Sequence, residues 1–211
     1  MVKVNHLLRL YEQGERDFSG IDLRGADLSQ VTLISVNLSG ANLSGVNLSR
    51  AFLTKSNLNG AQLHRANLSF AKLSETELNK ANLNGANLNG AFMVKSQLKQ
   101  AKLTTANLAY ANLRAACLEG AFLSSANLEK VNLRDANLVN ANLNWANLSQ
   151  AKLTGAKFNG TLLYGANLSY SWSQEVDLSP VNLEVSQKKE EHEHRGYPNQ
   201  LENYKLKFKY T

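Results

Sequence analysis

From residue 18 to residue 168 every fifth residue is Leu, with Phe18, Met93 and Phe158 as the only substitutes, for 31 consecutive pentads without an insertion. Two positions earlier stands, as a rule, a small or β-branched residue, usually Ala, as at Ala26, Ala41, Ala51, Ala61 and Ala166. The residue between them is Asn or Asp in 18 of the 31 pentads, so the unit reads A-(N/D)-L-x-x, as in ANLSG at 41–45. A period of five suits neither regular element. On an α-helix it would walk the leucines around every side and leave no apolar stripe. On a straight strand an odd period would throw successive leucines to opposite faces. A short extended segment followed by a corner resolves the conflict. Ala and Leu, two apart, then point inward, the residue between them and the one after Leu point outward, and the fifth residue turns the chain and resets the phase. Gly recurs at that fifth position (Gly20, Gly25, Gly40, Gly45, Gly60, Gly85, Gly90), as expected where positive φ is required.

The outward Asn positions tell how many segments close one coil. Asp27, Asn47, Asn67, Asn87, Asn107, Asn127, Asn147 and Asn167 recur every twenty residues without exception, whereas the column five residues on reads Thr32, Phe52, Lys72, Phe92, Asn112, Asn132, Lys152. Columns that stay distinct at a spacing of twenty imply four pentads per coil, with coils stacked like parallel strands about 4.8 Å apart. Burying some thirty large side chains, at roughly 1.5–3 kcal/mol each, offsets much of the conformational entropy lost on ordering the coils. Such a core is dry and structural.

These pentads resemble the pentapeptide-repeat family over about three-quarters of the chain. The resemblance implies an all-β solenoid, a right-handed quadrilateral β-helix with Leu and Ala inside. The start also resembles cyanobacterial members, among them a regulator of heterocyst differentiation. There Leu7, Leu8, Tyr11, Gly14, Arg16, Asp17 and Phe18 spell LL-x-x-Y-x-x-G-x-R-D-F. Family membership speaks for fold far more than for function.

The chain divides into three stretches. Residues 1–15 read as a helical cap, since Val4, Leu7, Leu8 and Tyr11 follow the i, i+3, i+4, i+7 pattern and Gly14 marks its stop. A solenoid needs capped ends for solubility. Residues 16–185 form the β-helix of about eight coils, with Val176, Leu178, Val181 and Leu183 in a last partial coil and Pro180 near its end. Residues 186–211 form a charged tail. It contains the run KKEEHEHR at 188–195, then Tyr204, Leu206, Phe208 and Tyr210 alternating with three lysines as a candidate terminal strand. That segment is expected either to stay a disordered tail, to cap the last coil or, as resemblance to some family members allows, to pair with a second copy into a dimer through the C-terminal ends; monomer and dimer both stay open.

Catalytic chemistry is not expected. His64 is the only histidine in the solenoid body, and nothing singles out a base oriented by a third group, as nucleophilic catalysis needs. Glu190, Glu191, His192, Glu193 and His194 include metal-ligand types, but a solvated charge run is the favoured reading. Cys117 replaces an outward Asn, and a tolerated surface substitution is its favoured reading. No Gly-rich phosphate loop is present. The chain is therefore expected to be no enzyme and to carry no cofactor and no metal. One cysteine, no signal-peptide pattern at the start and no run long enough to cross a bilayer favour a soluble protein of a reducing, cytoplasmic compartment without a membrane partner.

The outward surface offers the functional candidates. The pentads 31–35, 51–55 and so on to 151–155 carry Lys55, Lys72, Lys95, Arg114, Arg134 and Lys152 against Glu75 and Asp135, a net of +4, while the other three sides over 16–170 net +1, +2 and 0. Phe52 and Phe92 stand outward on that same side. Exposed aromatic rings beside basic groups are a usual form of interaction site, so these eight residues are the expected binding set. A protein partner is favoured; nucleic acid or another anionic partner is the alternative. The resemblance also raises topoisomerase binding by DNA mimicry, as in family members that confer quinolone resistance. Mimicry needs rows of carboxylates, and the body holds 15 basic against 8 acidic side chains, which disfavours it.

Overall fold

The computed structural model describes residues 2–171. Parallel bridges pair each middle residue with the one twenty positions later, from Asp17↔Asn37 to Asn147↔Asn167. Four pentads therefore close one coil and the solenoid has four sides. We number them by their first pentads: side one from 16–20, side two from 21–25, side three from 26–30 and side four from 31–35.

One pentad shows how the coil is held. In 46–50 the Asn47 N–H donates to the Ala26 carbonyl of the coil before (2.9 Å), and the Leu48 and Arg50 N–H groups donate to Asn67 and Ser69 of the coil after (2.7 and 2.8 Å). The Ala51 N–H closes the corner on the Leu48 carbonyl (3.1 Å). That corner is a four-residue turn with φ positive at its third residue only, the type II pattern. All corners from Gly20 to Tyr170 adopt it, with φ between 55° and 72°, whether the residue is Gly or as large as Arg50, Lys95 or Trp145. The left-handed conformation costs a non-Gly residue about 1–2 kcal/mol. At most corners an inter-coil hydrogen bond from the corner N–H helps to hold it.

Inside, the Leu column is buried along the whole described solenoid, and the Ala column is buried except near its ends, where Ile21, Ala26, Val31 and Ala166 are half-buried. Four hydroxyl residues take the Ala position without leaving a polar atom unpaired. Ser56, Thr76 and Thr161 donate to the carbonyls of Leu33, Leu53 and Leu138, and Ser96 donates to Met93, at 2.7–2.9 Å. On side three the Asn column forms a continuous ladder. Each Nδ2 from Asn47 to Asn167 donates to the Oδ1 of the residue one coil earlier, at 3.0–3.5 Å. Each Oδ1 also accepts from the backbone N–H two residues on, as Asn47 does from Ser49. The ladder begins on Asp27, an acceptor-only side chain, and Asp17 begins the side-one column, accepting from Asn37 at 2.9 Å. A carboxylate suits that end, where no earlier coil offers an acceptor to a free amide.

Helix α1, Val2–Glu12, precedes the first coil. Its Leu7 is buried within the same apolar cluster as Phe18 and Leu23, with Val4, Leu8, Leu10 and Tyr11 packed against it. Tyr11 accepts the Ile34 N–H on its phenolic oxygen (3.2 Å), and the Arg16 guanidinium lies 4.0 Å from its ring centroid. An eleven-residue helix is marginal alone, so its stability comes from this packing. No described helix is long and apolar enough to cross a membrane. The expected partial coil at 176–183, the charge run at 188–195 and the terminal strand at 204–210 lie outside the described residues.

Candidate interaction surface

Two neighbouring columns build a groove along the edge between sides three and four. The first is the middle column of side four, where parallel bridges stack Thr32, Phe52, Lys72 and Phe92. Phe52 and Phe92 are thus two coils, about 10 Å, apart, with Lys72 between them. The Lys72 ammonium is folded onto Phe92, 3.3 Å from the ring centroid, a cation–π contact worth about 0.5–1 kcal/mol when exposed. The second column is the corner that ends side three: Gln30, Arg50, Phe70, Gly90. Phe70 leans toward the C-terminal end and lies over Gly90; a Cβ there would meet the Phe70 ring at 2.5 Å. Arg50 approaches the same ring, its guanidinium carbon 6.0 Å from the centroid.

Gln30, Arg50, Phe52, Phe70, Lys72 and Phe92 together line an open groove of about 440 Å³. Its three rings are 41–47% exposed. Two of its six lining residues are cationic and none is acidic. The groove thus offers apolar surface flanked by fixed positive charge.

Of the residues expected from sequence, the groove brings together Phe52, Lys72 and Phe92. Lys55 and Lys95 fall on the far corner of side four, with Glu75 in register between them. Arg114 and Arg134 follow the Leu column, and Arg114 approaches Asp135 at 3.6 Å, an exposed pair worth about 1 kcal/mol or less. Lys152 stands in the Phe52 column three coils beyond Phe92. These five share the side without lining the groove. Arg50 and Phe70 were missed because grouping by whole pentads assigns each corner residue to the side it ends. The available signal was their place two residues before Phe52 and Lys72, across the corner.

A second set of exposed rings lies near the C-terminal end of side two. Trp145 and Tyr164 meet edge to face, centroids 4.8 Å apart at 80°, and the Trp145 ring covers Gly165. His64 is exposed and Cys117 half-buried. Among the described residues no three His, Cys, Asp or Glu side chains come together in a way that could hold a metal ion.

Comparison with known proteins agrees with this architecture. The family model described as "Pentapeptide repeats" matches in 8 copies, over residues 17–50, 41–79, 66–104, 106–144 and 141–172. Among solved structures the chain is similar to HetL, a pentapeptide repeat protein involved in heterocyst differentiation regulation from the cyanobacterium Nostoc sp. strain PCC 7120. Identity is 28%, coverage 79% of this chain and 90% of HetL, and the TM-score 0.57. It is also similar to QnrB1, a plasmid-mediated fluoroquinolone resistance protein. The trypsin-treated form matches at 19% identity, coverage 80% and 83%, TM-score 0.63; the full-length form matches at 18% identity, coverage 79% and 88%, TM-score 0.62. No curated protein matches the chain in sequence. These neighbours imply the right-handed sense of the four-sided coil.

Proposed function

We propose, since this chain belongs to the pentapeptide-repeat family, that it is a non-catalytic scaffold that binds another protein through the groove at the edge of sides three and four. The observation that carries this reading is the groove itself: three half-exposed phenylalanines and two cations converge on one hollow without a carboxylate among them. Aromatic and Arg side chains are the usual energetic anchors of protein interfaces, and an exposed cluster of rings on a soluble surface marks a contact site. The remaining basic residues of side four, Lys55, Lys95, Arg114, Arg134 and Lys152, extend the positive field along the solenoid and steer an acidic partner. DNA mimicry is disfavoured by the basic body; the likeness to QnrB1, at 19% identity, speaks for fold alone.

The test is affinity capture from native lysate with the wild-type chain and with Phe52→Asn, Phe92→Asn. Asn already occupies this column at Asn112 and Asn132, so the fold is expected to persist. A partner held by wild type and lost by the double variant supports the reading; a partner held equally by both overturns it.

A further inference from the structure

We infer that the groove receives one bulky apolar side chain, Trp, Phe or Leu, from an acidic linear peptide segment of the partner. The inference rests on the reading of this groove as the contact surface and adds the chemistry of its occupant. Four observations lead there. The volume, about 440 Å³, lies at the low end of the range for ligand pockets and suits a side chain with its flanking backbone, not a domain. The walls are Phe52, Phe70 and Phe92, so the inserted group is apolar. The charged groups at the rim are Arg50 and Lys72 alone, so the flanking groups are carboxylates. Gln30 supplies an amide that both donates and accepts, suited to a peptide backbone.

Single-stranded nucleic acid, the other anionic occupant, binds by stacking successive bases on open ring faces. Here Lys72 covers a face of Phe92, and Phe70 lies over the Gly90 backbone. The rings frame a hollow and do not offer a row of platforms. The peptide is therefore favoured.

The inference is tested by fluorescence anisotropy on the full chain with four labelled probes. They are a short peptide of Glu and Asp with one central Trp, the same peptide with Ser for Trp, the Trp peptide with Gln and Asn for its acids, and oligothymidylate. The Trp-bearing acidic peptide is expected to bind best and to weaken as salt rises. It is expected to lose about tenfold or more in affinity on Phe70→Asn and on Arg50→Asn, Lys72→Gln. Asn is accepted at a corner of this solenoid, as Asn140 shows at φ 58°, so loss of fold is not expected, and circular dichroism checks it. Equal binding of the Trp and Ser peptides, no binding of any peptide, or tighter binding of oligothymidylate overturns the inference. None of these results bears on whether the double variant of Phe52 and Phe92 loses its captured partner, so the broader reading stands or falls separately.

Discussion

Phe70 occupies space that Gly90 leaves empty: the ring lies where a side chain on the next coil's corner would begin, with Cε1 2.5 Å from the position of a Gly90 Cβ. A glycine one coil away thus sets the pose of a groove residue. Gly90→Ala should force Phe70 to rotate out of that pose and weaken partner binding. Gly40→Ala is the matched control, because Gly40 has the same φ of 64° and nothing within 4 Å of its Cβ position. Both variants should lose about 1 kcal/mol through left-handed strain, measured by denaturant unfolding. Only Gly90→Ala should lose binding in a titration with the captured partner.

The interior tolerates no charge. Leu88 is fully buried in the middle of the stack, and Leu88→Asp would place a carboxylate among apolar side chains with nothing to pair it. A loss of about 4 kcal/mol or more is expected, visible as a large fall in Tm. A melting curve that superimposes on wild type would contradict the inward assignment of the Leu columns.

Acid should weaken the start of the Asn ladder. The Ser29 backbone N–H, then its hydroxyl and the Asn47 amide, hold the Asp27 carboxyl below its ordinary value, and Ser19 and Asn37 do the same for Asp17. A carboxylate with a lowered folded pKa contributes stability that is complete above the unfolded value, about 4, and is lost as pH falls through the folded value. Asp27→Asn keeps an oxygen that accepts from the Ser29 backbone N–H and the Asn47 amide and removes the titration. The variant is expected to be slightly less stable than wild type at neutral pH, with the gap closing below about pH 4. Urea unfolding at a series of pH values checks this, and a gap that widens with acid would contradict it.

Helix α1 covers apolar surface that would otherwise face water. Removing residues 2–14 takes away Leu7, which is buried, and the Tyr11 oxygen that accepts the Ile34 N–H. The truncated chain is expected to self-associate by light scattering and to melt at lower temperature. A monomer as stable as the full chain would show that the helix is no cap.

How far the molecule could be read from its sequence differs between core and surface. The unbroken Leu period and the twenty-residue Asn column sufficed for a four-sided coil, because both express geometry that one inserted residue would destroy. The structure pairs those columns directly, as in Asp27↔Asn47. The corners were half legible. Gly20 and Gly90 point to positive φ, but Arg50, Lys95 and Trp145 adopt it too. A left-handed residue costs about 1–2 kcal/mol, too little for composition alone to mark every corner. The groove was half legible as well. Phe52, Lys72 and Phe92 share a column that spacing reveals, whereas Phe70 and Arg50 join them only because a corner side chain reaches over the edge onto the next side. Net charge counted Arg114 and Lys152 with the groove, although charge is summed along a whole side and a groove is made by neighbours.

The central claim is that this groove, and not exposed aromatic surface in general, holds the partner. It is tested most directly by calorimetric titration of the captured partner against wild type, Phe52→Asn, Phe92→Asn and Phe122→Asn. Phe122 is an exposed phenylalanine in the equivalent outward position of side two, 47% exposed against 42% for Phe52. The predicted result is a loss of about tenfold or more in affinity for the groove variant with Phe122→Asn unchanged. Wild-type affinity in the groove variant, or an equal loss in both, would contradict it.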